Sequence, residues 1–276
     1  MQVQSLITCP GRSTRLHDRF LSDHPVISGM RIIALDIGSA ELAYESGAGE
    51  VILCSNERYL LEMHKLLTLS PASSYIRECW ENEFDKGRDW KARCRKLAAF
   101  NNLSRGKILR NWNDVATYYC ILSMSGFNYR YEKWKMVAEY NPVTPRFARI
   151  KSWYEENKDR EFTFHKRNIY NFPTRQIDNN TLIYLHLPHA FLAYGCGYVW
   201  TQRKLEHITR ELHLLAAEGF KVCVSALSKK WGRQINTYGE YFNPDVFHPV
   251  SYRELKASRY SSYDLSTEET YFVANF

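Results

Sequence analysis

The first strong hydrophobic pattern is the run Arg31-Ile32-Ile33-Ala34-Leu35-Asp36-Ile37-Gly38. It is continuous and apolar and closes on an acid and a glycine, as a buried parallel strand does on entering a ligand-binding turn. A second run, Val51-Ile52-Leu53-Cys54, passes through Ser55-Asn56 into residues 58–67, where Leu60, Met63, His64 and Leu67 share one face at helical spacing. From about residue 71 to 159 the character changes to a helical pattern rich in Arg, Lys and aromatics, broken by Gly126, Pro142 and Pro145. The strand-and-helix rhythm then returns. Thr181 to Leu185 reads as a strand stopping at His186-Leu187-Pro188-His189. Leu205 to Ala217 reads as a helix with Leu205, Ile208, Leu212 and Leu215 inward and Gly219 as its cap. Phe220 to Ser225 and Thr270 to Ala274 read as further strands. Alternation on both sides of an insert predicts a doubly wound α/β domain of residues 1–70 and 160–276, with 71–159 as a helical, basic insertion. In such a sheet ligands sit beyond the carboxyl ends of the strands.

Composition narrows the classes. A chain of 276 residues, 45% hydrophobic, can bury a large core, and no window approaches the roughly 20 consecutive apolar residues of a membrane span. Met1 to Arg15 lacks the apolar stretch of a signal peptide, so a soluble, cytoplasmic protein without a membrane partner is expected. The 7 cysteines are odd in number, scattered and never in a C-x-x-C pair, which points to reduced, mostly buried thiols. Charge changes the picture more. Between Lys86 and Lys151 stand 15 Lys/Arg against 4 acids, an excess of +11 in a chain of net +7, leaving the remainder at −4. Phe127, Tyr129, Tyr131 and Trp134 interleave with Arg130, Lys133 and Lys135 in that stretch. Aromatics that stack or wedge beside cations that take phosphates suit a nucleic-acid surface; the alternative is a solvated basic face.

The order of these pieces resembles the Dam-type DNA adenine methyltransferases, particularly the short T-even phage type, nearly from end to end. Ile7-Thr8-Cys9-Pro10-Gly11-Arg12 occupies the place of the family's Y-T-G-N-K start. Leu35-Asp36-Ile37-Gly38-Ser39-Ala40 stands at its F-x-G-x-G loop, and Val51 to Glu57 at the strand whose terminal acid holds the ribose of S-adenosylmethionine. Ser125-Gly126-Phe127-Asn128 resembles the G-F-S/N turn, and Asn141-Pro142-Val143-Thr144-Pro145-Arg146 the N-x-T-x-P-x-G segment; these flank a target-reading hairpin. Ile183 to His189 falls on V-Y-x-D-P-P-Y. Gly219 to Ser225 falls on the following strand, and Glu268-Glu269-Thr270-Tyr271-Phe272 on an acidic turn and last strand. The resemblance implies a Rossmann-like methyltransferase sheet with an inserted DNA-recognition domain and duplex DNA as partner. It places Phe127, Asn128, Arg130, Lys133, Lys135, Thr144, Pro145, Arg146 and Arg149 against that duplex.

The same resemblance shows what has been replaced. Enzymes that methylate a base amine flip the base from the stack, and the Asp and Tyr of D-P-P-Y receive it. Here they are His186 and His189, with Leu187 for the first proline and Pro188 retained. A neutral imidazole can accept one hydrogen bond and stack, yet it brings no fixed negative charge to the developing ammonium. Three readings stay open: a remodelled base pocket, a relic, and two histidines without a ligand. On the cofactor side only Gly38 remains of the glycine loop, followed by Ala40 and Glu41. Ser55 stands near the ribose acid's place unless Glu57 substitutes, Arg12 replaces Lys, and Asp36 could still face the methionine ammonium. No cofactor, or weakly bound S-adenosylmethionine, is therefore expected. His24, His64, His165, His207 and His213 show no metal-ligand spacing, so no metal is expected, and no Walker loop or G-x-S-x-G is present.

Three functions follow: a non-catalytic, Dam-like DNA binder; an active methyltransferase or other base-modifying enzyme with a divergent pocket; and an interaction scaffold with an unknown protein partner. The first two require duplex DNA to bind with strong salt dependence, because the basic segment releases counterions on contact. Changing Arg130, Lys133 and Lys135 together to Ala is expected to weaken binding and flatten the log–log salt slope by about 2–3. Fluorescence anisotropy across a salt series measures both, and an unchanged affinity and slope would show that the hairpin does not face DNA.

Overall fold

The computed structural model describes residues 14–35, 39–55, 61, 64–65, 127–128, 135–136, 153, 155–166, 177–187, 202–229, 238–256 and 265–276. In chain order these form α1 (Thr14–Asp23), β1 (Arg31–Leu35), α2 (Ala40–Glu45), β2 (Glu50–Ser55), β3 (Phe127–Asn128) and β4 (Lys135–Met136). There follow β5 (Glu161–Lys166), β6 (Thr181–Leu187), α3 (Gln202–Ala217), β7 (Lys221–Lys229), β8 (His248–Lys256) and β9 (Leu265–Ala274). Seven strands make one sheet in the order β5-β2-β1-β6-β7-β9-β8. The first five run parallel; β9 enters antiparallel between β7 and β8. The order reverses between β1 and β6, the switch point at which doubly wound sheets take ligands. This is a mixed α/β architecture built on one seven-stranded sheet.

The core strands are continuous apolar runs because both faces are covered. Ile32 to Leu35 and all seven residues of β6 are buried. Alternation sends Ile33, Leu35, Ile52, Cys54, Ile183, Leu185, Leu187, Val222 and Val224 to one face, against Leu205, Ile208 and Leu212 of α3. The predicted inward positions of that helix hold, with Leu215 partly buried at the same core. Gly219 ends the helix at φ +91°, a backbone that an L side chain resists. Asn275, itself at φ 62°, donates from Nδ2 to the carbonyls of Ala216 (2.7 Å) and Phe220 (2.8 Å), so the last residues of the chain satisfy the end of α3.

The opposite face carries α1 and α2. Leu16, His17 and Phe20 of α1 are buried. Phe20 stacks on Tyr271 of β9 with ring centres 4.0 Å apart, and Tyr252 of β8 donates to Asp23 at 2.6 Å. Within α2, Tyr44 meets Phe162 edge-on and Trp153 at 5.4 Å. Several boundaries differ from the sequence reading. β6 does not stop at His186 but runs through Leu187, because His186 and Leu187 pair with Ser225 and Ala226 of β7. Ala40 and Glu41 are not loop residues but open α2, where an acid in the first turn suits the helix dipole. Glu269 lies in β9, not in a turn. β5, β8 and α1 were not anticipated.

Arg160, just before β5, organises the edge of this face. Its guanidinium donates to the carbonyls of Ala43 (3.0 Å), Tyr44 (2.7 Å) and Ala48 (2.6 Å) and to Asn157 Oδ1 (2.6 Å), closing the end of α2. Burial lowers its pKa to about 10, which leaves it charged at neutral pH. Replacing Arg160 by Met keeps much of the stem and leaves those carbonyls without their donor, so a loss of about 2–4 kcal/mol is expected in urea unfolding. The exposed Arg210→Met serves as control, at under about 0.5 kcal/mol; equal midpoints for the two variants would contradict the role given to Arg160.

Candidate functional site: a buried polar cluster beside the switch point

β6 sends its odd residues to α3 and its even ones, Tyr184 and His186, to the α1 face. Register fixes their neighbours: Ser225 lies opposite His186 on β7, and Tyr271 lies opposite Ser225 on β9. Glu269, two residues before Tyr271, shares its face by strand alternation. His17 comes down from α1. His17, Tyr184, His186, Ser225, Glu269 and Tyr271 are all buried, although most are polar.

Their hydrogen bonds account for most of that polarity. Ser225 Oγ bonds Tyr184 Oη at 2.6 Å and His186 Nδ1 at 2.7 Å. Tyr271 Oη bonds His17 Nδ1 at 2.8 Å. Ser39, ahead of α2, donates to the Leu35 carbonyl and accepts the His186 backbone N–H at 2.9 Å, so one hydroxyl ties the ends of β1 and β6 across the switch point. Glu269 is the exception. It is 0% exposed, and neither carboxyl oxygen accepts a hydrogen bond from the described residues. Two imidazoles approach it: His186 Nδ1 lies 3.5 Å and His17 Nε2 3.8 Å from Oε1. Burial first, and the nearby Glu269 second, push the Tyr271 phenol and the Cys223 thiol well above their usual ranges, so both stay protonated at neutral pH.

The structure treats the expected site residues unevenly. His186 and Leu187 are in β6 with their side chains packed on opposite faces, His186 in the polar cluster and Leu187 in the α3 core. Ala40 is the first residue of α2 and is 3% exposed; Ser55 ends β2 fully buried. Phe127 and Asn128 form β3, paired antiparallel with Lys135 and Met136 of β4. Arg12, Asp36, Gly38, Glu57, Pro188 and His189 lie outside the described residues, as do Arg130, Lys133, Thr144, Pro145, Arg146 and Arg149. The functional candidates that sequence reasoning missed are His17, Ser39, Ser225 and Glu269. Glu269 had a usable signal, since it shares parity with the apolar Tyr271 and Val273 along one strand. His17, His186 and Glu269 are separated so widely in the chain that no spacing rule links them. Together they offer two imidazoles and a carboxyl group, a donor set able to hold a metal ion.

Among the described residues no helix is long and apolar enough to cross a membrane. No family model matches the chain, and no curated protein matches it. Among solved structures it is similar to the rRNA methyltransferase aviRa from Streptomyces viridochromogenes, with 10% identity and a TM-score of 0.39, over 99% of this chain and 90% of that one.

Proposed function

We propose that this protein binds duplex DNA through the basic segment within residues 71–159 and that its methyltransferase-like sheet no longer methylates adenine. The observation that carries the second half is the state of His186. At the position where the Dam resemblance calls for the base-binding acid, the side chain is 4% exposed and bonded to Ser225. A flipped base needs a side chain offered into a pocket, and this one is taken up in packing between strands. The cofactor side agrees. β2 ends in a fully buried serine where a ribose-binding carboxylate is expected. The +11 excess between Lys86 and Lys151 supports the first half.

A second reading, an active base-modifying enzyme, is favoured by Glu269. Its carboxyl group 3.5 Å from His186 supplies in space the acid that His186 removed from the motif. Calorimetric titration with S-adenosylmethionine separates the two. Heat indicating a Kd tighter than about 1 µM, near −8 kcal/mol, would favour the enzyme; DNA binding without cofactor heat favours the first reading.

Phe127→Ala tests whether the hairpin reads DNA. A wedge that opens a base pair is expected to lose DNA affinity while keeping its melting temperature. A core phenylalanine would instead lose about 3–5 kcal/mol of stability. A large stability loss with affinity unchanged in the folded fraction would remove Phe127 from the interface.

A further inference from the structure

We propose that His17, His186 and Glu269 form a binding site for a divalent transition-metal ion of the zinc class. One donor comes from each of α1, β6 and β9, and the three ligand atoms lie within 4.8 Å of one another. Bonds of about 2.0–2.1 Å at tetrahedral angles separate ligand atoms by about 3.3 Å. The measured separations of 3.5 Å and 3.8 Å from Glu269 Oε1 to the two imidazoles are already close to that spacing. The donors are in reach of one ion, with small side-chain adjustments.

The second observation is Glu269 itself. A fully buried carboxyl group whose oxygens accept no hydrogen bond from the described residues is costly unless something positive meets it. Both nearby imidazoles approach the same oxygen, Oε1. Their surroundings suit ligation. His17 Nδ1 is held by Tyr271 Oη, which fixes the ring with Nε2 towards Glu269, as outer partners of metal-bound histidines do. When His186 Nδ1 turns to a metal, Ser225 keeps Tyr184 as its partner. Two nitrogens and one oxygen favour zinc, cobalt, nickel or iron over magnesium or calcium, which prefer all-oxygen cages. Three protein ligands leave a fourth position for water or another donor. The ion would pin α1 to the sheet, a role independent of the DNA reading above.

The full chain, stripped with chelator and dialysed, should be titrated with zinc chloride by calorimetry and with cobalt chloride by visible absorption. We expect one ion per chain with a Kd below about 1 µM, a tetrahedral cobalt spectrum, and a melting temperature that rises with zinc. His17→Ala and Glu269→Gln should each weaken zinc at least about 100-fold. The unmodified protein keeps the test decisive if a variant fails to fold: folded wild type without stoichiometric binding at about 100 µM zinc overturns the site. Tight binding unchanged in both variants overturns it too, by placing the metal elsewhere. A melting temperature that does not respond to zinc would also reject the proposal.

Discussion

The period of two along β6 is the constraint from which the rest follows. This strand is buried on both faces, so each residue must be matched by what lies above or below it. Ile183, Leu185 and Leu187 meet α3 and join the large apolar cluster. Tyr184 and His186 meet the α1 face, where polar groups can survive only in hydrogen-bonded company. A slip of one residue would bury the histidine against Leu205 and Ile208 and turn a leucine, Leu185 or Leu187, onto Ser225. Register therefore specifies the core and the polar cluster together.

Docking of α1 is the next consequence. The helix is held by a ring stack between Phe20 and Tyr271 and by Tyr252 donating to Asp23. One turn ahead of these anchors along α1, His17 meets Tyr271 and approaches Glu269. The aromatic packing excludes water from the carboxyl group, and that exclusion raises the worth of any positive charge placed there. Packing and electrostatics are thus coupled on this face in a way they are not on the α3 face.

The legibility of the sequence follows the same division. β1, β2, β6 and α3 were readable because burial on both faces, or along one helical stripe, writes continuous or periodic apolar runs. The edges were not. Glu161 to Lys166 carries only Phe162 and Phe164 among polar residues, as an edge strand with one demanding face does, and β8 begins with His248-Pro249. The end of β6 was misplaced for a related reason. A histidine followed by Leu-Pro looks like a strand terminus, yet Ser225 on the neighbouring strand satisfies the ring and lets pairing continue. The cluster stayed hidden because its members meet only through sheet order and the docking of α1; no local pattern joins residues 17, 186 and 269.

The proposed combination of DNA binding without methyl transfer is physically coherent because the two depend on geometry so differently. Counterion release from a cationic segment tolerates displacements of several ångströms, since it depends on charge density along the duplex. Methyl transfer needs reacting atoms held in line within about 3–3.5 Å. Turning one ligand-facing side chain inward abolishes the second and leaves the first intact. The hydrogen-bond pattern on the α1 face has that form: Ser39 holds the His186 amide, Ser225 holds its ring, and Tyr184 completes Ser225. Each bond that satisfies a partner within the sheet withdraws a group from a flipped base in the crevice. Glu269, buried beside two imidazoles with no hydrogen bond from the described residues to either oxygen, is where this face retains a capacity to bind.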